Sequence, residues 1–107
     1  MSARTMQWIE RIGIMPVLRA RSTKEGRALV EALVAGGVTV MEVTMTVPGA
    51  VDLLRELKKT YGDRLLLGSG TVTDVGQVQE TIAAGAEFVV SPSFHPEVVG
   101  RTKALGK

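Results

Sequence analysis

The chain has 107 residues, room for one small domain, and its 45% hydrophobic content supplies a core and excludes disorder. A net charge of +2 is too small to mark a nucleic-acid surface, and the six Lys and Arg among the first 27 residues are dispersed rather than clustered. With no Cys there is no disulfide framework or thiolate metal site, and a single His, His95, argues against zinc.

Residues 3–12 have the pattern of a short amphipathic helix, with Met6, Trp8 and Ile9 on its apolar side and Gly13 ending it. Ile14–Arg19 is apolar and bounded by breakers, which predicts a first strand, weakened by Pro16. Ser22 and Glu25 make a capping box for a helix over Thr23–Ala35, with Leu29, Ala32 and Leu33 inward and Gly36-Gly37 stopping it. Val38–Pro48 reads as the second strand. Ala50–Tyr61 carries Val51, Leu54, Leu57 and Lys58 at helical spacing, and Gly62 closes that helix. Leu65–Ser69 is a third strand running into the turn Gly68-Ser69-Gly70-Thr71. Thr73 is the expected N-cap of a helix over Asp74–Ala84, closed by Gly85. Glu87–Ser91 is a fourth strand ended by Pro92, and a last helix runs from Pro96 to Leu105.

Strands alternating with helices through short loops predict parallel βα units. Such a sheet is either open and doubly wound or part of an eight-stranded barrel, and a full barrel needs at least about 200 residues. No run is long enough to span a membrane. The first residues, MSARTMQWIERIG, lack the continuous apolar core of a signal peptide, so a soluble, cytoplasmic protein is expected.

Chemistry is expected at the carboxyl ends of the strands in either architecture. In the second strand, β-branched residues favour extended backbone, and alternation puts Val38, Val40, Glu42 and Thr44 on one face. Both faces are largely apolar, so Glu42 sits in a strand that reads as buried. A carboxylate there is either one arm of a structural ion pair or a general acid/base of raised pKa. The other strand ends bring Arg19, Thr44–Thr46, Ser69-Gly70-Thr71 and Ser91-Pro92 to the same rim. A cation, a carboxylate and several hydroxyls suit a small anionic ligand such as a keto acid. Read alone, Arg19 could equally be a snorkelling surface residue. Gly68-Ser69-Gly70 fails as a dinucleotide fingerprint, because Thr73 occupies the third glycine position and the turn follows the third strand.

Five segments in order, Val17-Leu18-Arg19-Ala20, Ala35-Gly36-Gly37-Val38, Glu42-Val43-Thr44, Gly68-Ser69-Gly70-Thr71-Val72 and Gly85–Pro92, closely resemble the first half of the 2-keto-3-deoxy-6-phosphogluconate (KDPG)/4-hydroxy-2-oxoglutarate aldolases. The resemblance covers nearly the whole chain. It implies that residues 1–107 are a single partial domain, a parallel (βα)4 half of a (β/α)8 TIM barrel preceded by a helix that covers the barrel bottom. It implies a class I aldolase without cofactor or metal, usually a homotrimer, acting on a keto acid and releasing pyruvate and glyceraldehyde 3-phosphate. Glu42 matches the family's general acid/base, Thr71 a residue holding the pyruvyl carboxylate, and Arg19 an arginine near the same pocket; Ser91 and Pro92 line it. Thr46 stands in the ligand-side loop where many members carry Arg, leaving carboxylate binding to Arg19 and Thr71. The Schiff-base lysine and phosphate loops belong to the family's second half, so these 107 residues alone are expected to be inactive. Two other readings stay open: a self-associating, non-catalytic half-barrel, and an open flavodoxin-like domain binding a phosphorylated ligand.

Overall fold

The computed structural model describes residues Met1–Lys107. The elements are α1 (Ala3–Ile12), β1 (Val17–Leu18), α2 (Thr23–Ala35), β2 (Val40–Thr44), α3 (Ala50–Tyr61), β3 (Leu66–Gly70), α4 (Val75–Ala84), β4 (Phe88–Val89) and α5 (Pro96–Ala104), with a 3-10 turn over Gly62–Arg64. The four strands are parallel and lie in the order β1-β2-β3-β4. A sequential order has no point at which the winding reverses, and that point is where an open doubly wound sheet holds its ligand. The flavodoxin-like alternative is corrected on that ground.

The register sets the two faces. Val17, Glu42, Gly68 and Phe88 form one row across the sheet, and Leu18, Val43, Ser69 and Val89 form the next. Successive rows point to opposite sides. On one side Leu18, Met41, Val43 and Leu67 pack with Val30 of α2, Leu53, Leu54 and Leu57 of α3, and Ala84 of α4. Val72, Val78 and Val98 extend this layer towards α5. On the other side Val40, Leu66 and Phe88 meet Trp8, Ile9 and Ile12 of α1. Trp8 Nε1 donates to Thr39 Oγ1 at 3.0 Å, just before β2, so α1 closes the amino end of this face and leaves the carboxyl end open.

Local chemistry sets most element ends. Ser22 accepts from the Glu25 amide as the capping box requires, and Gly13 takes a left-handed conformation that ends α1. The expected N-cap Thr73 is corrected to Asp74, whose carboxylate accepts from Gln77 N at 2.8 Å; Thr73 instead donates its backbone N–H to the Gln77 side chain. Two helix phases also differ. In α1, Met6 is exposed while Thr5 and Ile12 turn inward; in α2, Leu29 and Ala32 are exposed and the inward stripe is Gly26, Val30, Leu33 and Val34. The outer strands are shorter than Ile14–Arg19 and Glu87–Ser91, because each has one neighbour and Pro16 and Pro92 carry no ladder donor. Pro16 still takes part through its carbonyl, which accepts from Glu42 N at 3.0 Å.

Candidate active site

Glu42 is at the centre of β2, on the face that the α2–α5 layer leaves bare, and is only 5% exposed. Its in-row neighbours explain how it fits. Phe88 leans over Gly68, where an added Cβ would meet the ring at 2.1 Å, so Gly68 makes room for an aromatic wall beside the carboxylate row. The Glu42 side chain leans along its strand, one row further, over Gly70 of β3. The carboxylate makes no hydrogen bond or ion pair, yet no fully buried polar atom is left without a partner, so it keeps a narrow opening to solvent. Burial pushes its carboxyl above the ordinary value, and the nearby Arg19 guanidinium pulls it part of the way back. A raised carboxyl that is reachable and unpaired can both donate and accept a proton. The ion-pair arrangement allowed by the sequence is absent: Arg19 acts on Glu42 through space, with no contact inside 4.0 Å.

Arg19 follows β1 and is exposed at the open end. Its Nη1 donates to Thr46 Oγ1 at 3.3 Å, Thr46 Oγ1 lies 2.7 Å from Thr44 Oγ1, and Thr44 Oγ1 donates to Leu18 O at 3.1 Å. Because the Thr44 proton is committed to Leu18, Thr44 accepts from Thr46, and Thr46 accepts from Arg19. The chain is therefore a bracket for the guanidinium, and Thr46 has no proton free for an anion in this arrangement.

Thr71 follows β3 with φ +58°, the one non-glycine residue in left-handed conformation. A β-branched residue is costly there, by roughly 1–3 kcal/mol, and such strain gathers at functional sites. The residue is half-buried and its hydroxyl has no protein partner. Ser91 Oγ donates to Val72 O, which ties the end of β4 to the loop carrying Thr71; Pro92 beside it is exposed. Arg19, Thr46, Thr71 and Ser91 therefore come from the carboxyl ends of adjacent strands, and Glu42 leans towards that end from the middle of β2. Ser69 is not among them: it turns to the helix side and hydrogen-bonds with Thr81 Oγ1 of α4 at 3.0 Å. Sequence reasoning placed Thr44 and Gly70 on the rim without giving either a role, and it missed Gly68 as part of the site. The signal for the two glycines was their period-two spacing, which on a strand puts both on one face.

No group of three or more His, Asp or Glu side chains converges. No helix is long and apolar enough to cross a membrane.

Comparison with known proteins bears on this geometry. The chain is 41% identical over 98 residues to the 2-dehydro-3-deoxy-phosphogluconate aldolase of Treponema pallidum, an alignment covering 92% of this chain and 46% of that protein. It is 30% identical over 101 residues to the 2-dehydro-3-deoxy-6-phosphogalactonate aldolase of Escherichia coli, covering 94% and 49%. The crystal structure of the Zymomonas mobilis KDPG aldolase with 3-phosphoglycerate matches with a TM-score of 0.83 at 29% identity, over 95% of this chain and 48% of that one. The Legionella pneumophila enzyme, with pyruvate captured as a covalent carbinolamine, matches with a TM-score of 0.76 at 38% identity, over 83% and 43%. The chain spans about half the length of the relatives it matches. A family model for the KDPG and KHG aldolases covers residues 6–106, so the chain belongs to the KDPG and KHG aldolase family.

Proposed function

We propose that these residues supply the acid/base half of a class I aldolase site, as the first (βα)4 half of a (β/α)8 barrel. The substrate class is 2-keto-3-deoxy-6-phosphogluconate and its relatives, and the products are pyruvate and glyceraldehyde 3-phosphate. One observation carries the reading: a nearly buried, unpaired carboxylate, Glu42, at the open carboxyl end of the sheet within the field of Arg19. Relatives of this fold hold pyruvate as a carbinolamine in one case and 3-phosphoglycerate in another.

The reaction assigns Glu42 two opposite duties. A lysine from the other half adds to the C2 ketone, and protonated Glu42 gives its proton to the carbinolamine hydroxyl, which leaves as water. The resulting carboxylate takes the C4 hydroxyl proton as the C3–C4 bond breaks, releasing the aldehyde, and then delivers that proton to C3 of the enamine; water hydrolyses the pyruvyl imine, freeing pyruvate and the lysine amine. A carboxyl held above its ordinary value suits both directions. Arg19, steadied by Thr46, and Thr71 bind the keto-acid carboxylate; Ser91 and Pro92 line the pocket. No metal or cofactor takes part. The reading carries with it a homotrimer in the cytoplasm, with no nucleic-acid or membrane partner. A solved neighbour is a designed cage made by fusing symmetric oligomeric domains.

The test is a barrel completed with the second half of the Treponema pallidum relative. Glu42→Gln keeps the shape but cannot carry a proton, and lowers kcat by about 10²-fold or more with little change in KM. An unaltered kcat overturns the assignment. Arg19→Ala mainly raises KM, by the equivalent of about 1.5–3 kcal/mol for a hydrogen bond to a charged group.

A second reading, a non-catalytic half-barrel that pairs with its own copy, is favoured by Val17. This residue shares the Glu42 row at the β1 edge and is 51% exposed. Sedimentation of the 107-residue chain as a monomer at high concentration removes that reading.

A further inference from the structure

We propose that Gly70 is a positioning residue: the volume its missing side chain leaves is the seat of the Glu42 carboxylate. A Cβ built on Gly70 would lie 1.8 Å from Glu42 Oε1, 2.5 Å from Cδ and 2.6 Å from Cγ. The whole outer half of the glutamate therefore occupies the space any other residue at position 70 would need.

Backbone conformation does not explain this glycine. The glycines with left-handed φ are Gly13, Gly37, Gly49, Gly62, Gly85 and Gly106, and Gly70 is not among them. Nor can the strand retreat from a new Cβ. Gly70 pairs with Thr44 in the ladder, and its carbonyl accepts from Met45 N at 2.8 Å, so β3 is held to β2 on both sides of the contact. Relief must come from Glu42, the flexible partner. Next to it, the space over Gly68 is already filled by Phe88. A displaced carboxylate then has only the open face to enter, where it meets water. Gly68 and Gly70 thus divide the labour: the first admits the aromatic wall, the second admits the acid. The functional weight of this seat rests on the acid/base reading of Glu42, but the seat itself is tested without turnover.

The experiment follows the Glu42 carboxyl by carbon-detected NMR in the glutamate-labelled chain, with Glu42→Gln identifying the resonance. In the unaltered chain it titrates above ordinary glutamates; in Gly70→Ala it moves back towards them. An identical titration in both chains overturns the proposal. A thermodynamic cycle guards against a variant that merely folds poorly. Gly70→Ala in the presence of Glu42 lowers Tm by roughly 4–8 °C, the scale of a 1 kcal/mol change in a domain of this size. In a Glu42→Ala background, where the clash is gone, most of that loss disappears. Equal losses in both backgrounds show that Gly70 serves the backbone and overturn the proposal. If the titration and the cycle behave as stated while Glu42→Gln leaves turnover of the completed barrel intact, the acid/base reading fails and the seat stands.

Discussion

Glu42 combines burial with a lack of partners, and this has a direct consequence for stability. Its folded pKa lies above the ordinary value of 4.5, so folding favours the protonated form. The unfolded chain loses its proton first as pH rises. Stability associated with neutral Glu42 is thus fully present below about 4.5 and is lost as pH climbs through the higher folded value. Glu42→Gln, neutral throughout, should match the parent in Tm at pH 4 and exceed it by a growing margin towards pH 8, read by thermal unfolding across that range. A constant difference would mean that the carboxyl is not desolvated. The same reasoning separates Glu42 from the surface ion pairs Arg27–Glu56 and Arg55–Asp52, which are solvent-screened and contribute little.

At the scale of the element, β3 is where the site and the fold constrain one another most. Its five residues are all buried, and its alternation is divided by chemistry. Gly68 and Gly70 face the site; Leu67 and Ser69 face the helices. Ser69 is a polar residue in an apolar layer, kept there by Thr81 Oγ1, which gives its single proton to Gln77 O at 2.7 Å and so accepts from the Ser69 hydroxyl. Thr81→Val keeps the volume but leaves the Ser69 hydroxyl unpaired, so it should cost about 1–3 kcal/mol. A lower urea midpoint with unchanged slope is the expected result. Thr81→Val combined with Ser69→Ala should recover much of the loss, because both polar partners are then gone. Just past this strand, Thr71 is strained and Asp74 starts α4, so the rigid helix begins four residues from the glycine seat.

Across the whole molecule, the placement of cations decides what the chain can do unaided. All five lysines lie outside the bare sheet face: Lys24 on α2, Lys58 and Lys59 on α3, Lys103 on α5, and Lys107 after it. Lys107 is ion-paired with Glu87 at 2.8 Å, just before β4 and therefore at the end of the sheet opposite Glu42's opening. A proton shuttle without an amine to form the imine has nothing to act upon. The 107-residue chain by itself should therefore show no KDPG cleavage, and borohydride in the presence of pyruvate should leave its mass unchanged. A stoichiometric pyruvyl adduct would place the reactive lysine on one of these helices and overturn the division of labour proposed between the two halves.

Much of this could be read from residues near one another in sequence. Caps and glycine stops define helices within one or two residues, because they act over three or four positions; Ser22 with Glu25 and Gly13 after Ile12 are examples. The parallel alternation followed from the order of apolar runs and breakers. The strand phase of β2 put Glu42 on the face with Val40, where the structure has it. What the chain alone left open depended on atoms distant in sequence. Whether Glu42 is paired is decided by where Arg19 is held, and that is set by Thr46 and Thr44, some 25 residues on. The inward stripe of α2 depended on the docking of α2 against α3, which a one-dimensional pattern of Ala, Leu and Val fits in more than one phase. Ser69 reads as part of the rim because it closes the third predicted strand, Leu65–Ser69; only Thr81, twelve positions later, shows that its side chain belongs to the helix layer. The role of Gly70 was hidden for the same physical reason. A glycine records the absence of a side chain, and what fills that absence is known only once another strand has been laid beside it.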